Sequence, residues 1–385
     1  MSESLNPNDA HVLAEQRGRL GVITLNRATA LNALSLDMIR ELTLLLRAWE
    51  DDDRIDAVLL HGAARPGKAP AFCAGGDIRF FHQAALGGDP RLEDFFTEEY
   101  ALNHLVHGYP KPCIVWMDGI CMGGGMGISQ GASHRVVTEH SKLAMPETHI
   151  GLFPDVGGGW FLSRCAGRLG EYLALTGHVL KAADAIETGL ADIELPSTSL
   201  IAVVDALAAL PWLTMQSIAD TLRQHATAHH AAAPIAAQRA QIDQHFAGVD
   251  LQAIEQSLAA DSSDWAQATL AALHKQSPLM MAVTLEQVRR ARHMSLADDL
   301  RMERGLMRHA FHLRPPAQSE VVEGIRALAV DKDQAPRWNP ARIEDVMPGQ
   351  VAAFFESPWP AALHPLRDLG SARGTALRGG RVACD

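Results

Sequence analysis

Residues 109–159 read YPKPCIVWMDGICMGGGMGISQGASHRVVTEHSKLAMPETHIGLFPDVGGG, and the parsing of this stretch decides the fold. It holds the densest glycine of the chain in two clusters, Gly123-Gly124-Gly125-Met126-Gly127 and Gly157-Gly158-Gly159. Two carboxylates, Glu147 and Asp155, stand beside these clusters, each directly after a proline. Glycine lets a backbone approach another group closely, and proline holds the chain next to it, so the combination marks a held site. Residues 114–117 read as a buried strand, and Gly123 opens a helix that runs to about Ala132. Residues 135–138 and 142–145 are two further short strands. Pro154-Asp155 then starts a helix, and Leu169-Gly170 starts the next.

Working outward, residues 11–15 and 20–25 form two strands joined by a tight turn at Gly18. Ser35 is an N-cap for a helix in which Met38, Ile39, Leu42, Leu45, Leu46 and Trp49 recur at helical spacing. Residues 56–61 are a third, buried strand, and a loop of small residues leads to a helix near Ile78. Repeated strand, strand, helix units predict an α/β core of stacked sheets with covering helices. From about Ser199 only helices are expected. Residues 225–240 are rich in alanine and histidine, with weak demands on a core. Ser277-Pro278 restarts a stronger helix, and beyond Pro336 the chain is rich in turns, ending in a disordered tail. The expected division is a core at 1–200, a variable helical insert at 201–275, a C-terminal helical region at 276–345, and a flexible tail at 346–385.

The totals narrow the function classes. The chain has 385 residues, 47% apolar and 21% charged, with a formal net charge of −11, which is enzyme-like and gives no general grip on nucleic acid. No apolar run reaches the roughly 18 residues that a membrane span needs. The first residues lack the pattern of a signal or transit peptide. Five cysteines, Cys73, Cys113, Cys121, Cys165 and Cys384, are an odd number without Cys-x-x-Cys spacing. A reduced, cytoplasmic chain is the expectation. No His-Glu-x-x-His or Gly-x-Ser-x-Gly occurs, and His229-His230 reads as a solvated helix face. The basic run Arg289-Arg290-Ala291-Arg292 is an exposed helix face or a contact for phosphates.

The first glycine cluster lies between a strand and a helix, where unpaired N–H groups and the helix dipole favour negative charge. A second donor is available in the loop Ala74-Gly75-Gly76. Two N–H groups converging on one oxygen would polarise a carbonyl; the same glycines would equally permit close helix packing. The spacing from Gly123 to Gly131 does not match the dinucleotide-binding Gly-x-Gly-x-x-Gly. Asp155 alone would be an N-cap for a helix over residues 156–165, and Glu147 alone a solvated loop carboxylate. Together, in apolar surroundings between two glycine clusters, they read as an acid/base pair.

Residues 25–34 (LNRATALNAL), 71–78 (AFCAGGDI), the Gly123 cluster and 145–159 (MPETHIGLFPDVGGG) together resemble the crotonase (enoyl-CoA hydratase/isomerase) superfamily. The wording of residues 109–127, 95–103 (FFTEEYALN) and 319–340 (SEVVEGIRALAVDKDQAPRWNP) is most similar to its branch of 3-hydroxyisobutyryl-CoA hydrolases. The resemblance covers roughly residues 11–200 and 275–345. It implies a spiral of stacked ββα units with a C-terminal helical region, and a coenzyme A thioester as a small-molecule substrate. Coenzyme A is then part of the substrate, with no metal or redox cofactor and no nucleic-acid or membrane partner; a homo-oligomer is possible in such a family. The thioester oxygen would meet the N–H groups of Gly76 and Gly124. Glu147 and Asp155 match the acidic pair of the hydrolase branch, and Glu99, Ala74 and Asp77 fall at substrate-contacting positions. Hydratases of the superfamily carry a second glutamate where this chain has Gly127, so the resemblance favours thioester hydrolysis. The alternatives are hydration or isomerisation of an unsaturated acyl-CoA, and acyl-CoA binding without turnover.

Overall fold

The chain is described by a computed structural model over residues 10–65, 67–226 and 232–370. Nine strands are seen among these residues: β1 (Val12–Arg17), β2 (Leu20–Leu25), β3 (Ala57–Gly62), β4 (Ala71–Cys73), β5 (Cys113–Met117), β6 (Ile120–Met122), β7 (His134–Val137), β8 (Lys142–Ala144) and β9 (Ile193–Glu194). They form a six-stranded sheet in the order β1-β2-β3-β5-β7-β9 and a three-stranded sheet in the order β4-β6-β8. β1 and β2 are an antiparallel hairpin turning at Gly18, whose φ is 59°; every other pairing is parallel.

The large sheet is covered on both faces, which is why its strands are nearly continuous apolar runs. Ile23, Leu25, Val58, Leu60, Val115 and Met117 belong to the main core. Their alternating neighbours Leu20, Val22, Leu59, Ile114, Trp116 and Val136 pack into a second cluster. Val203, Val204, Leu207, Ile218 and Leu222 complete that cluster from the opposite side.

The helices of the first half are α1 (Leu36–Glu50), α2 (Ile78–Gly87), α3 (Arg91–His107), α4 (Gly124–Gln130), α5 (Gly158–Ser163), α6 (Leu169–Thr176) and α7 (Ala182–Glu187). Those of the second half are α8 (Leu200–Ala208), α9 (Met215–His225), α10 (Pro234–His245), α11 (Leu251–Ala259), α12 (Asp264–Leu273), α13 (Pro278–Ala291), α14 (Leu296–His312), α15 (Glu320–Ile325) and α16 (Pro348–Phe354). Ser35 and Ser277 cap α1 and α13 as the sequence predicts, each accepting a backbone N–H three residues on.

Several expectations are corrected. The three-residue strand β4 occupies a stretch read as loop, and β6 falls between the strand and helix expected around it, because strands this short carry no periodicity. The helix expected from Pro154-Asp155 begins only at Gly158, with Gly157 as its N-cap. α10 makes a firm demand on the core through Ile235 and Ile242, both buried. The expected tail is anchored as far as Gly370, since α16 buries Phe354, and Leu366 is buried after it. His229, His230, Cys384 and residues 371–385 lie outside the described residues.

Candidate active site

The two sheets bring the glycine-rich loops after β4 and β6 side by side. A Cβ on Gly75 would lie 3.7 Å from the Gly124 nitrogen, and one on Gly124 would lie 3.5 Å from the Gly75 carbonyl carbon. The neighbouring backbone groups are already engaged. Leu34 N–H bonds to the Gly75 carbonyl, Asp77 N–H to the Leu34 carbonyl, and Gly123 N–H to the Ala144 carbonyl. Gly124 is the first residue of α4, where an N–H has no partner within its own helix. Gly76 N–H and Gly124 N–H therefore stand on abutting loops at one side of a cavity of about 240 Å³, lined by both residues.

Three carboxyls line the same cavity: Glu99 from α3, Glu147 from the 3₁₀ turn Glu147–Ile150 that follows β8, and Asp155 from the turn before α5. All are buried, with exposures of 2%, 6% and 5%. The glycines make this crowding possible. A side chain at Gly124 would come within 2.5 Å of Glu99 Oε1, and one at Gly123 within 2.9 Å of Glu147 Oε1. Glu147 Oε2 and Glu99 Oε1 have no hydrogen-bond partner among the described residues. An unpaired buried acceptor is uncommon and marks a place where an incoming group completes the set.

Electrostatics follows from the burial. Removal from water pushes Glu147 well above the usual carboxylate range, and the neighbouring Asp155 adds to this. Glu99 is raised by burial first, then by Asp155 and Glu147. Asp155 is lifted to about 7 by burial, against the pull of the Tyr100 hydroxyl, which donates to Asp155 Oδ2 at 2.8 Å. Three acidic groups buried in one cavity resist ionising together, so they titrate as a linked set and a proton taken up by one bears on the others.

Of the residues singled out in the sequence, Ala74, Gly76, Glu99, Gly124, Glu147 and Asp155 are all brought to this cavity. Glu99 is no surface glutamate. Asp77 is not part of the lining: its Oδ1 accepts the Phe80 N–H at 3.2 Å as the cap of α2, and its Oδ2 pairs with Arg27 at 2.7 Å. Asp155 is not a helix cap, since its side chain turns to Tyr100 instead. The basic run of α13 does not line the cavity either. Arg289 bonds to the Val249 carbonyl at 2.6 Å, Arg290 pairs with Glu286 at 2.7 Å, and Arg292 pairs with buried Glu171 at 2.7 Å.

Sequence reasoning missed Tyr100 and Leu328. Leu328 reaches the cavity from a π-helical turn, Arg326–Val330, that continues α15. Gly127, at the position of the missing glutamate, has no room for a side chain. A Cβ there would lie 2.6 Å from Val156 Cβ and 2.9 Å from Asn103 Nδ2.

Known proteins resemble this chain along most of its length. The chain is 38% identical over 367 residues to the mitochondrial 3-hydroxyisobutyryl-CoA hydrolase of Rattus norvegicus, covering 92% of this chain and 91% of that one. It is 39% identical over 353 residues to the enzyme of the same name from Xenopus laevis, covering 91% and 89%. Among solved structures, a carnitinyl-CoA dehydratase from Mycobacterium thermoresistibile superposes with a TM-score of 0.83 at 37% identity, covering 91% of this chain and 98% of that one. The expected cytoplasmic location is corrected by the relatives, which are mitochondrial by name. Free cysteines register reducing surroundings and do not tell one reducing compartment from another. The sequence profile of the enoyl-CoA hydratase/isomerase family matches residues 20–355. A match from the second strand to the end of the last helix leaves no part of the cavity outside it, and the chain belongs to that family.

Proposed function

We propose that the protein hydrolyses 3-hydroxyisobutyryl-CoA to the free acid and coenzyme A. The relatives that it matches along nine-tenths of its length carry that activity in their names. The observation that carries the reading at the site is that Glu147, buried with an unpartnered oxygen, shares one cavity with the two glycine loops. The thioester oxygen lies between the N–H groups of Gly76 and Gly124, which stabilise the negative charge that develops there; one such donor is worth about 3–4 kcal/mol. Glu147 acts at the carbonyl carbon, either attacking it to form a mixed anhydride or drawing a proton from the water that attacks it. Its raised pKa makes the ionised form of Glu147 a stronger base, and a stronger nucleophile, than an exposed glutamate. Asp155 and Glu99 hold the substrate hydroxyl or the water and take part in proton transfer to the leaving sulfur. Coenzyme A enters as part of the substrate, without a metal or redox cofactor.

Hydration of an enoyl-CoA is the competing reading, prompted by the dehydratase name of a similar structure. Addition of water across a double bond uses two positioned acid/base groups. The second is absent at Gly127, and Val156 and Asn103 fill the space that its side chain would take. The deciding assay follows free thiol released from 3-hydroxyisobutyryl-CoA and 3-hydroxypropionyl-CoA, against loss of absorbance on crotonyl-CoA. Thiol release from the hydroxyacyl substrates is expected. Consumption of crotonyl-CoA alone would establish the hydratase, and binding without either reaction a non-catalytic protein. Glu147→Gln is expected to lower kcat at least about a hundredfold; a near-normal rate would remove Glu147 from the mechanism.

A further inference from the structure

The turn that carries Asp155 is held from behind by three buried side chains with no place in the chemistry above. Glu303 Oε2 accepts the Gly157 N–H at 2.7 Å, and its Oε1 accepts the Gly159 N–H at 3.0 Å. Asp299 Oδ2 accepts the Trp160 N–H at 2.8 Å. Gln287 Nε2 donates to the Pro154 carbonyl at 2.6 Å and to Glu303 Oε1 at 3.0 Å. Backbone groups on both sides of Asp155 are thus fixed by residues of α13 and α14. All three side chains are 0% exposed.

Capping α5 does not account for this arrangement. A serine hydroxyl serves α1, α12, α13 and α14, whereas burying two carboxyls carries a desolvation cost that a serine avoids. What distinguishes the turn is Val156, which follows Asp155 with φ at 57°. The left-handed region is unfavourable for a β-branched residue and persists only where the surroundings over-determine it. Here they do so from both sides. Val156 Cβ presses toward the space that a side chain at Gly127 would need, and Glu303 and Gln287 fix the peptide groups around it. α14 is itself seated firmly, since the adjacent Arg304 pairs with Glu93 of α3 at 2.5 Å. That is the helix which carries Glu99 and Tyr100. One helix therefore braces both walls of the cavity.

We propose that Glu303, with Asp299 and Gln287, is a clamp that holds the 154–157 turn in its left-handed form and so positions Asp155 against the substrate. These are positioning residues, since none lines the cavity. The inference rests on the reading in which Asp155 takes part in hydrolysis.

Glu303→Gln keeps the size of the side chain but turns one acceptor into a donor facing backbone N–H. In the full-length protein, kcat on 3-hydroxyisobutyryl-CoA is expected to fall at least about tenfold with KM changed less than about twofold, as misplacement of a reacting group affects the chemical step most. A double-mutant cycle assigns the route. If Glu303 acts through Asp155, then Glu303→Gln in an Asp155→Asn background lowers kcat no further. Multiplying losses would overturn the proposal. A slow Asp155→Asn beside a Glu303→Gln of wild-type kcat would sink the clamp alone. An Asp155→Asn of wild-type kcat would instead remove Asp155 from the reaction, and the clamp's catalytic purpose with it. Should Glu303→Gln not fold, Gln287→Met carries the same cycle by releasing the Pro154 carbonyl, and a wild-type kcat there counts equally against the proposal.

Discussion

Asp155 sits between two opposed influences, burial that disfavours its charge and the Tyr100 hydroxyl that favours it. Removing the hydroxyl removes a stabiliser of the ionised form only, so Tyr100→Phe raises the Asp155 pKa above about 7. Because Asp155 takes part in proton transfer to the leaving sulfur, the alkaline limb of the kcat profile is then expected to move to higher pH. A limb that stays in place would show that the titration belongs to another group. At this scale the sequence was informative where chemistry-bearing residues cluster locally. Glu147, Asp155 and the two glycine groups fall within one stretch, and their residue types already speak of a held carbonyl and a base. Tyr100 was not legible, because its partner lies 55 residues away and nothing in a tyrosine marks a distant carboxylate. Asp77 misled for the opposite reason. It follows a cavity glycine directly, but a short aspartate at a helix start is captured by the backbone N–H groups ahead of it.

Among the elements, the 3₁₀ turn that presents Glu147 depends on its contact with α15. A Cβ at Gly324 would lie 2.3 Å from both the carbonyl carbon and the oxygen of Ile150. Backbone atoms cannot swing aside as a side chain can. Gly324→Ala is therefore expected to cost about 1–3 kcal/mol of stability and to lower kcat by shifting the turn, measured by denaturant unfolding beside the thiol-release assay. Wild-type stability with wild-type kcat would show that the contact has slack. Elements of this kind divide sharply in legibility. α1 is long enough for apolar spacing and a serine cap to announce it, and Ser277-Pro278 announces α13. β4 and β6 are three residues each and exist because parallel neighbours supply their hydrogen bonds. The π-helical turn at Arg326–Val330 is likewise set by its surroundings, where Arg326 pairs with Glu323, Asp331 and Asp333. That turn carries Leu328 to the cavity, so one wall of the site comes from a stretch whose helical pattern alone gives no hint of it.

For the molecule as a whole, Glu99, Glu147, Asp155, Asp299 and Glu303 are buried carboxyls, each raised chiefly by burial. A carboxyl whose folded pKa is raised gives stability that is complete below its unfolded value and is lost as pH climbs through the folded value. For Asp155 and Asp299 that loss runs from the ordinary carboxylate value of 3.8 up to about 7. The melting temperature of the wild type is thus expected to decline from mildly acid to mildly alkaline pH. Asp299→Asn, which mimics the protonated form, should flatten part of the decline; parallel curves would show that Asp299 titrates alike in both states. This inversion of ordinary acid lability is invisible in a net charge of −11, which counts carboxyls without saying which are dry. The four described cysteines are dry as well. Cys73, Cys113, Cys121 and Cys165 are free and buried, and burial lifts the first, second and last to about 12. Only a thiolate reacts with an alkylating reagent, so each sulfur stays silent until its own region opens. They sit on β4, β5, β6 and just beyond α5, which makes them four clocks wound into different parts of one core. The order in which they strike records whether the small sheet beside the cavity breathes apart from the large one or only when the whole molecule comes undone.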